Sequence, residues 1–90
     1  MLPMKRDLEA AHKHCYKTRR EVMVSEICGC FNCLATFSPA EIKEWLDDEQ
    51  TPMCPSCGID SVIGSASGYP IAPEFLKSMN ERWFSQHPTN

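Results

Sequence analysis

The fold class this sequence predicts is a small α+β domain in which short strands and about three helices gather round two cysteine knuckles. Three observations carry it. Two Cys-x-x-Cys pairs, Cys30/Cys33 and Cys54/Cys57, are separated by 20 residues within a chain of 90. Apolar residues at helical spacing lie on both sides of the pairs, and short β-prone stretches run next to them. Hydrophobic residues make up 42% and charged residues 23% of the chain, a balance that folds rather than one that stays disordered. A chain of this size makes one domain, residues 1–90, whose core gains from a cross-link or a metal.

Residues 4–20 read as an amphipathic helix, with Pro3 placed to start it. At 100° per residue Met4, Leu8, Ala11, His12 and Cys15 share one side, while Arg6, Lys13, Lys17 and Arg20 form a basic arc on another. "EVMVSEIC" at 21–28 alternates Val22 and Val24 with Met23 and Ser25, and so reads as a strand leading into the cysteines. Ser38, Pro39 and Glu41 form a capping box that predicts a helix burying Ile42, Trp45 and Leu46. That helix would end on Asp47, Asp48 and Glu49, where the macrodipole disfavours acids by about a few tenths of a kcal/mol each. The acidic run reads as a solvated face. Gln50–Pro52 breaks the helix, "IDSVIG" at 59–64 is a short strand, and "SASG" at 65–68 is a turn. Pro73 opens a last helix to about residue 86, with Phe75, Leu76, Met79 and Trp83 as its apolar stripe and Phe84 off it. The closing "HPTN" reads as frayed.

The cysteines carry the chemistry. Two intervening residues let a tight turn aim both sulfurs of a pair at one point, and a tetrahedral ion accepts four thiolates at about 2.3 Å. The spacing fits the four-cysteine zinc template, so Cys30, Cys33, Cys54 and Cys57 are the expected ligands of one Zn²⁺ per chain. In the second pair Pro55 stiffens the turn and Gly58 supplies a positive φ. Four thiolates leave no position for water, so the ion is structural rather than catalytic. Cys28 is an alternative to Cys30 at a wider spacing, but reads as a small apolar residue at a strand end. Cys15 reads as a core thiol; with His12 one turn away it is also the one place where a second metal site could start.

Charge divides the chain. Residues 1–20 carry six basic and two acidic groups, a net of +4, and residues 21–90 carry three basic and ten acidic, a net of −7. Four thiolates and one divalent ion take the whole from −3 to −5. No apolar run approaches a membrane span, and the first residues have no apolar stretch of the secretory kind, so a reducing cytoplasm is the expected compartment. Paired cysteines there favour metal binding over disulfides. No paired-carboxylate pattern is present, and "GSASG" has neither a nucleophile-elbow pattern nor a phosphate-loop ending, so the chain reads as non-enzymatic.

The two knuckles, the second written "CPSCG", resemble the zinc-ribbon and rubredoxin-like class of small metal domains over residues 28–64. A treble-clef-like arrangement is the other form that the intervening segment allows. The block "CPSCGIDSVIGSASGYPIAPEFLKSMNERWF" at 54–84 resembles a group of small, uncharacterised bacterial cytoplasmic proteins, a likeness that brings no activity with it. The rubredoxin variant would hold iron and carry electrons. The first knuckle, "CFNCL", lacks the glycine that follows the second pair, which weakens that reading.

Three functions follow as expectations. The first is a protein-interaction module of adaptor, inhibitor or immunity type. The second is a nucleic-acid-binding regulator that uses Arg6, Lys13, Lys17 and Arg20, against which the net negative charge stands. The third is an electron carrier.

Overall fold

The computed structural model describes residues 5–84, with side chains from Asp7 onward. It is an α+β arrangement of three helices and two small antiparallel sheets. Among the described residues, no helix is long and apolar enough to cross a membrane.

The expected helix over 4–20 is broken, and Met4 lies outside the described residues. Helix α1 (Lys5–His12) tightens into a 3-10 turn at Lys13–Cys15. Lys17 then takes φ 55°, and α2 (Arg19–Met23) starts afresh. The reason is tertiary. The Lys17 N–H is taken at 2.8 Å by the Thr51 hydroxyl, 34 residues away, and the left-handed residue turns the chain out of its helical course. The expected strand over 21–28 is likewise displaced. Val22 is fully buried inside α2, whereas Val24 is 68% exposed, so the two valines do not share a face. Extended chain begins only at Cys28.

Strand β1 (Cys28–Cys30) lies between β2 (Thr36–Phe37) and β5 (Val62–Gly64), antiparallel to both. Its register sets Cys28 against Phe37 and Gly64, Gly29 against Ile63, and Cys30 against Val62. The period of two then sorts side chains into two cores. Cys28, Cys30, Phe37 and Val62 join Val22, Ile42 and Cys54 on one face. On the other, Ile63 packs with Leu8, Ala11, Phe75, Leu76 and Met79 beneath α1 and α3 (Pro73–Trp83). Gly29 is needed for that second contact, since a Cβ there would lie 2.9 Å from Ile71 Cγ2 and 3.0 Å from both Leu76 methyls. An ion pair between Arg82 and Glu9 at 2.7 Å ties α3 to α1.

The segment between the knuckles departs furthest from expectation. The Glu41 carboxylate accepts the Ser38 N–H at 2.9 Å, as a capping box requires, yet only a 3-10 turn over Pro39–Glu41 follows. Ile42 is already extended, and β3 (Trp45–Leu46) and β4 (Thr51–Pro52) make a hairpin. Ile42 is buried as expected, but Leu46 is 44% exposed and Trp45 lies half-buried under the Arg19 guanidinium at 4.4 Å. Asp47, Asp48 and Glu49 form the hairpin turn, at φ 54°, 60° and 65°. They therefore meet no helix dipole. Three left-handed residues cost about 1–2 kcal/mol each, offset by docking of the turn: Thr51 Oγ1 donates to the Asp47 carboxylate at 2.8 Å, and Arg19 donates to the Glu49 carbonyl at 3.0 Å.

Helix α3 opens on Pro73 as expected, with Phe75, Leu76 and Met79 buried, Trp83 half-buried and Phe84 44% exposed. The expected extension to 86 and the frayed "HPTN" lie outside the described residues.

Candidate metal centre

Each knuckle is the same turn built twice. The N–H of Leu34 donates to the Cys30 carbonyl at 2.8 Å, and that of Gly58 to the Cys54 carbonyl at 2.9 Å. The N–H of Cys30 donates to Ala35 and that of Cys54 to Ile59, both at 2.9 Å. Asn32 and Ser56 each turn a backbone N–H on to the first sulfur of their knuckle at 3.3 Å. The residue after each second cysteine is left-handed, Gly58 at φ 77° and Leu34 at φ 67°. Leu34 therefore adopts without a glycine the conformation that Gly58 takes.

The two turns face each other. Cys30 Sγ lies 3.6 Å from Cys57 Sγ, and Cys33 Sγ lies 3.7 Å from Cys54 Sγ. All four sulfurs are within 4.8 Å of one another. Four thiolates at about 2.3 Å from a tetrahedral ion would stand about 3.8 Å apart, so the donor set fits one ion with little adjustment. Among the described residues, this is the one group of three or more His, Cys, Asp or Glu side chains that gathers in this way. Soft sulfur donors in a tetrahedral set suit zinc or iron.

The surroundings favour thiolate at some positions and thiol at others. Burial pushes Cys30 up to about 12, although the Ser61 hydroxyl at 3.1 Å hydrogen-bonds to its sulfur. Burial also raises Cys33. At Cys57 burial acts upward too, but hydrogen bonds from the Asn32 amide at 3.4 Å and from the Ile59 backbone prevail and bring it down to about 7. Donors directed at sulfur orient ligands and spread the negative charge of a metal–thiolate cluster. Ser61 and Asn32 were not foreseen. Asn32, inside "CFNC", could have been guessed as a donor to sulfur; Ser61 has no sequence signal, because only the pairing of β1 with β5 brings it to Cys30.

The remaining candidates do not converge on this site. Cys28 is fully buried in β1 and outside the sulfur cluster. Cys15 is buried, with its thiol on the His12 carbonyl at 3.0 Å. The His12 ring packs 4.1 Å from the Trp83 ring, and burial lowers its pKa. Lys13, Lys17 and Arg20 are exposed but no longer share one helix; Arg6 belongs to α1, and its side chain is outside the described residues. His12, Lys13, Cys15, Tyr16, Phe31, Asp60, Ser61 and Phe84 instead line a cleft of about 390 Å³. No protein-family model, curated protein or solved structure matches the chain.

Proposed function

We propose that this chain is a zinc-stabilised cytoplasmic protein-interaction module, in which the ion fastens the knuckles and the surface above them meets a protein partner. The observation that carries the proposal is the closed sulfur set. Four cysteines within 4.8 Å use every position of a tetrahedral ion, so the metal serves the fold and no coordination site remains for a substrate. A redox-inert ion suffices for that task. The partner surface in this reading is the cleft of about 390 Å³ beside the centre. Tyr16 is 56% exposed and Phe84 44% exposed, and aromatic residues of this kind anchor protein interfaces. An adaptor, inhibitor or immunity-type role uses no more than this.

The nucleic-acid reading has the exposed Lys13, Lys17 and Arg20 in its favour. It loses the single helical row on which it was based, and a holo charge of −5 repels a polyanion.

Metal analysis of the purified protein should return one zinc per chain and a colourless solution; a red preparation containing iron overturns the choice of metal. Tyr16→Ala and Phe84→Ala should each abolish capture of a partner that the wild type retains, with an unchanged circular dichroism spectrum. Salt-dependent gel shifts with nucleic acid, lost on Lys13→Ala and Arg20→Ala, would overturn the protein-partner reading.

A further inference from the structure

We propose that the four-cysteine cluster is also a site of reversible oxidation, at which a hydroperoxide couples sulfurs across the two knuckles, releasing the ion while leaving the knuckles tied together. The proposal rests on the metal-centre reading above. The sulfur contacts supply its geometry: among four sulfurs that all lie within 4.8 Å of one another, Cys30 with Cys57 at 3.6 Å and Cys33 with Cys54 at 3.7 Å each join one knuckle to the other. Accessibility supplies its order. Cys33 is exposed and Cys57 half-buried, whereas Cys30 and Cys54 are 0% and 3% exposed, so each contacting pair has one outer and one inner sulfur. An outer thiolate that reagent can reach, with a partner sulfur in contact behind it, is the arrangement of an attacked and a resolving cysteine.

The chemistry balances. The Cys33 thiolate attacks one oxygen of hydrogen peroxide, the O–O bond breaks, and hydroxide leaves, so the sulfur becomes a sulfenic acid. Cys54 Sγ then displaces the second hydroxide from that sulfur and forms the S–S bond. Two electrons have passed from two thiolates to one peroxide, and two protons from solvent convert the hydroxides to water. With only Cys30 and Cys57 left as thiolates, the cluster would no longer retain the ion. A second peroxide oxidises Cys57 and Cys30 in the same way. Removing the ion with a chelator removes the tie between the knuckles, but oxidation replaces it with covalent bonds in the same place. Cys28 and Cys15, buried outside the cluster, remain thiols.

The chain carries its own assay. Trypsin cuts after Arg20, Lys43 and Lys77, so the first knuckle falls in peptide 21–43 and the second in peptide 44–77. Holoprotein of measured metal content is treated with hydrogen peroxide, release is followed with a chromogenic chelator, and the digest is mapped without reduction. The expected result is loss of the one bound ion per chain, peptides 21–43 and 44–77 recovered as one disulfide-linked species, two thiols per chain left, and recovery of metal binding after dithiothreitol and zinc. Metal-bearing protein whose two peptides run separately, each with an internal disulfide, overturns this proposal alone. So does sulfinic acid that dithiothreitol does not reverse, or retention of the ion under peroxide. Protein that contains no metal before oxidation overturns instead the reading on which the proposal rests.

Discussion

Two residues that follow second cysteines show how much strain the knuckles tolerate. Gly58 is left-handed at φ 77°, and a Cβ there would meet nothing within 4 Å. Gly58→Ala therefore isolates the conformational cost, and urea unfolding should show a loss of about 1–2 kcal/mol. Leu34 stands at the equivalent place at φ 67° with 44% of its surface exposed, so it has little burial to lose. Leu34→Gly should be neutral or stabilising by no more than about 1 kcal/mol, the relief of strain being partly offset by the freedom glycine gains when unfolded. Cys15 gives a pH dependence. Burial raises its thiol from 9.0 to about 11, with the charge of Asp60 adding to the effect. The folded state thus holds this proton more tightly than the unfolded chain. The stability it contributes is complete below pH 9 and is lost as pH rises towards 11. Chemical denaturation across that range should show stability falling with pH, and a shallower fall in Cys15→Ala.

At the scale of elements, single tertiary contacts decide where helices stop. Thr51 is fully buried; it accepts the Lys17 N–H and donates to Asp47, both at 2.8 Å. Thr51→Val keeps the shape and removes both bonds, leaving the Lys17 N–H without that acceptor. The expected cost is about 1–3 kcal/mol in equilibrium unfolding, with Thr51→Ser recovering most of it. Gly64 pairs with Cys28, and a Cβ there would collide with the Ser25 hydroxyl and lie 2.9 Å from Ser25 Cβ. Ser25 cannot easily give way, because its Oγ donates to the Glu21 carbonyl at 2.8 Å and accepts the Ala66 N–H at 2.9 Å. Gly64→Ala should destabilise by about 1–3 kcal/mol, and adding Ser25→Ala should recover part of that loss, a coupling that a double-mutant cycle measures.

For the whole molecule, the four-cysteine cluster joins the strand of three residues that stands between two cores. Cys30 belongs both to β1 and to the sulfur cluster, and β1 separates the core under α1 and α3 from the core beside the knuckles. Zinc binding contributes about 10–16 kcal/mol in small finger peptides, comparable to the entire stability of a small domain. Chelation of the reduced protein should therefore abolish helical circular dichroism and the cooperative melt together. Unchanged helicity and melting temperature after the metal has been stripped would show that the ion does not hold the fold.

The donor set and the last helix were legible in the sequence because both are local. Two residues between cysteines already fix a turn, and Pro73 with Phe75, Leu76 and Met79 already defines the start and the apolar face of a helix. The middle of the chain was not legible. Ile42, Trp45 and Leu46 have helical spacing, and Ser38 to Glu41 carry a capping signal, yet the chain leaves the helix after one turn and closes a hairpin. The same holds near Lys17, where helical propensity favoured continuation and a hydroxyl 34 residues away ended it. By itself the sequence determined four thiols in two turns that fit one ion, a final helix opened by proline, and an uneven spread of charge along the chain. Tertiary structure alone decided that Ser61 reaches Cys30 and that the basic arc is divided. Propensity differences amount to about 1 kcal/mol or less per residue, so one satisfied buried hydrogen bond is enough to reverse them.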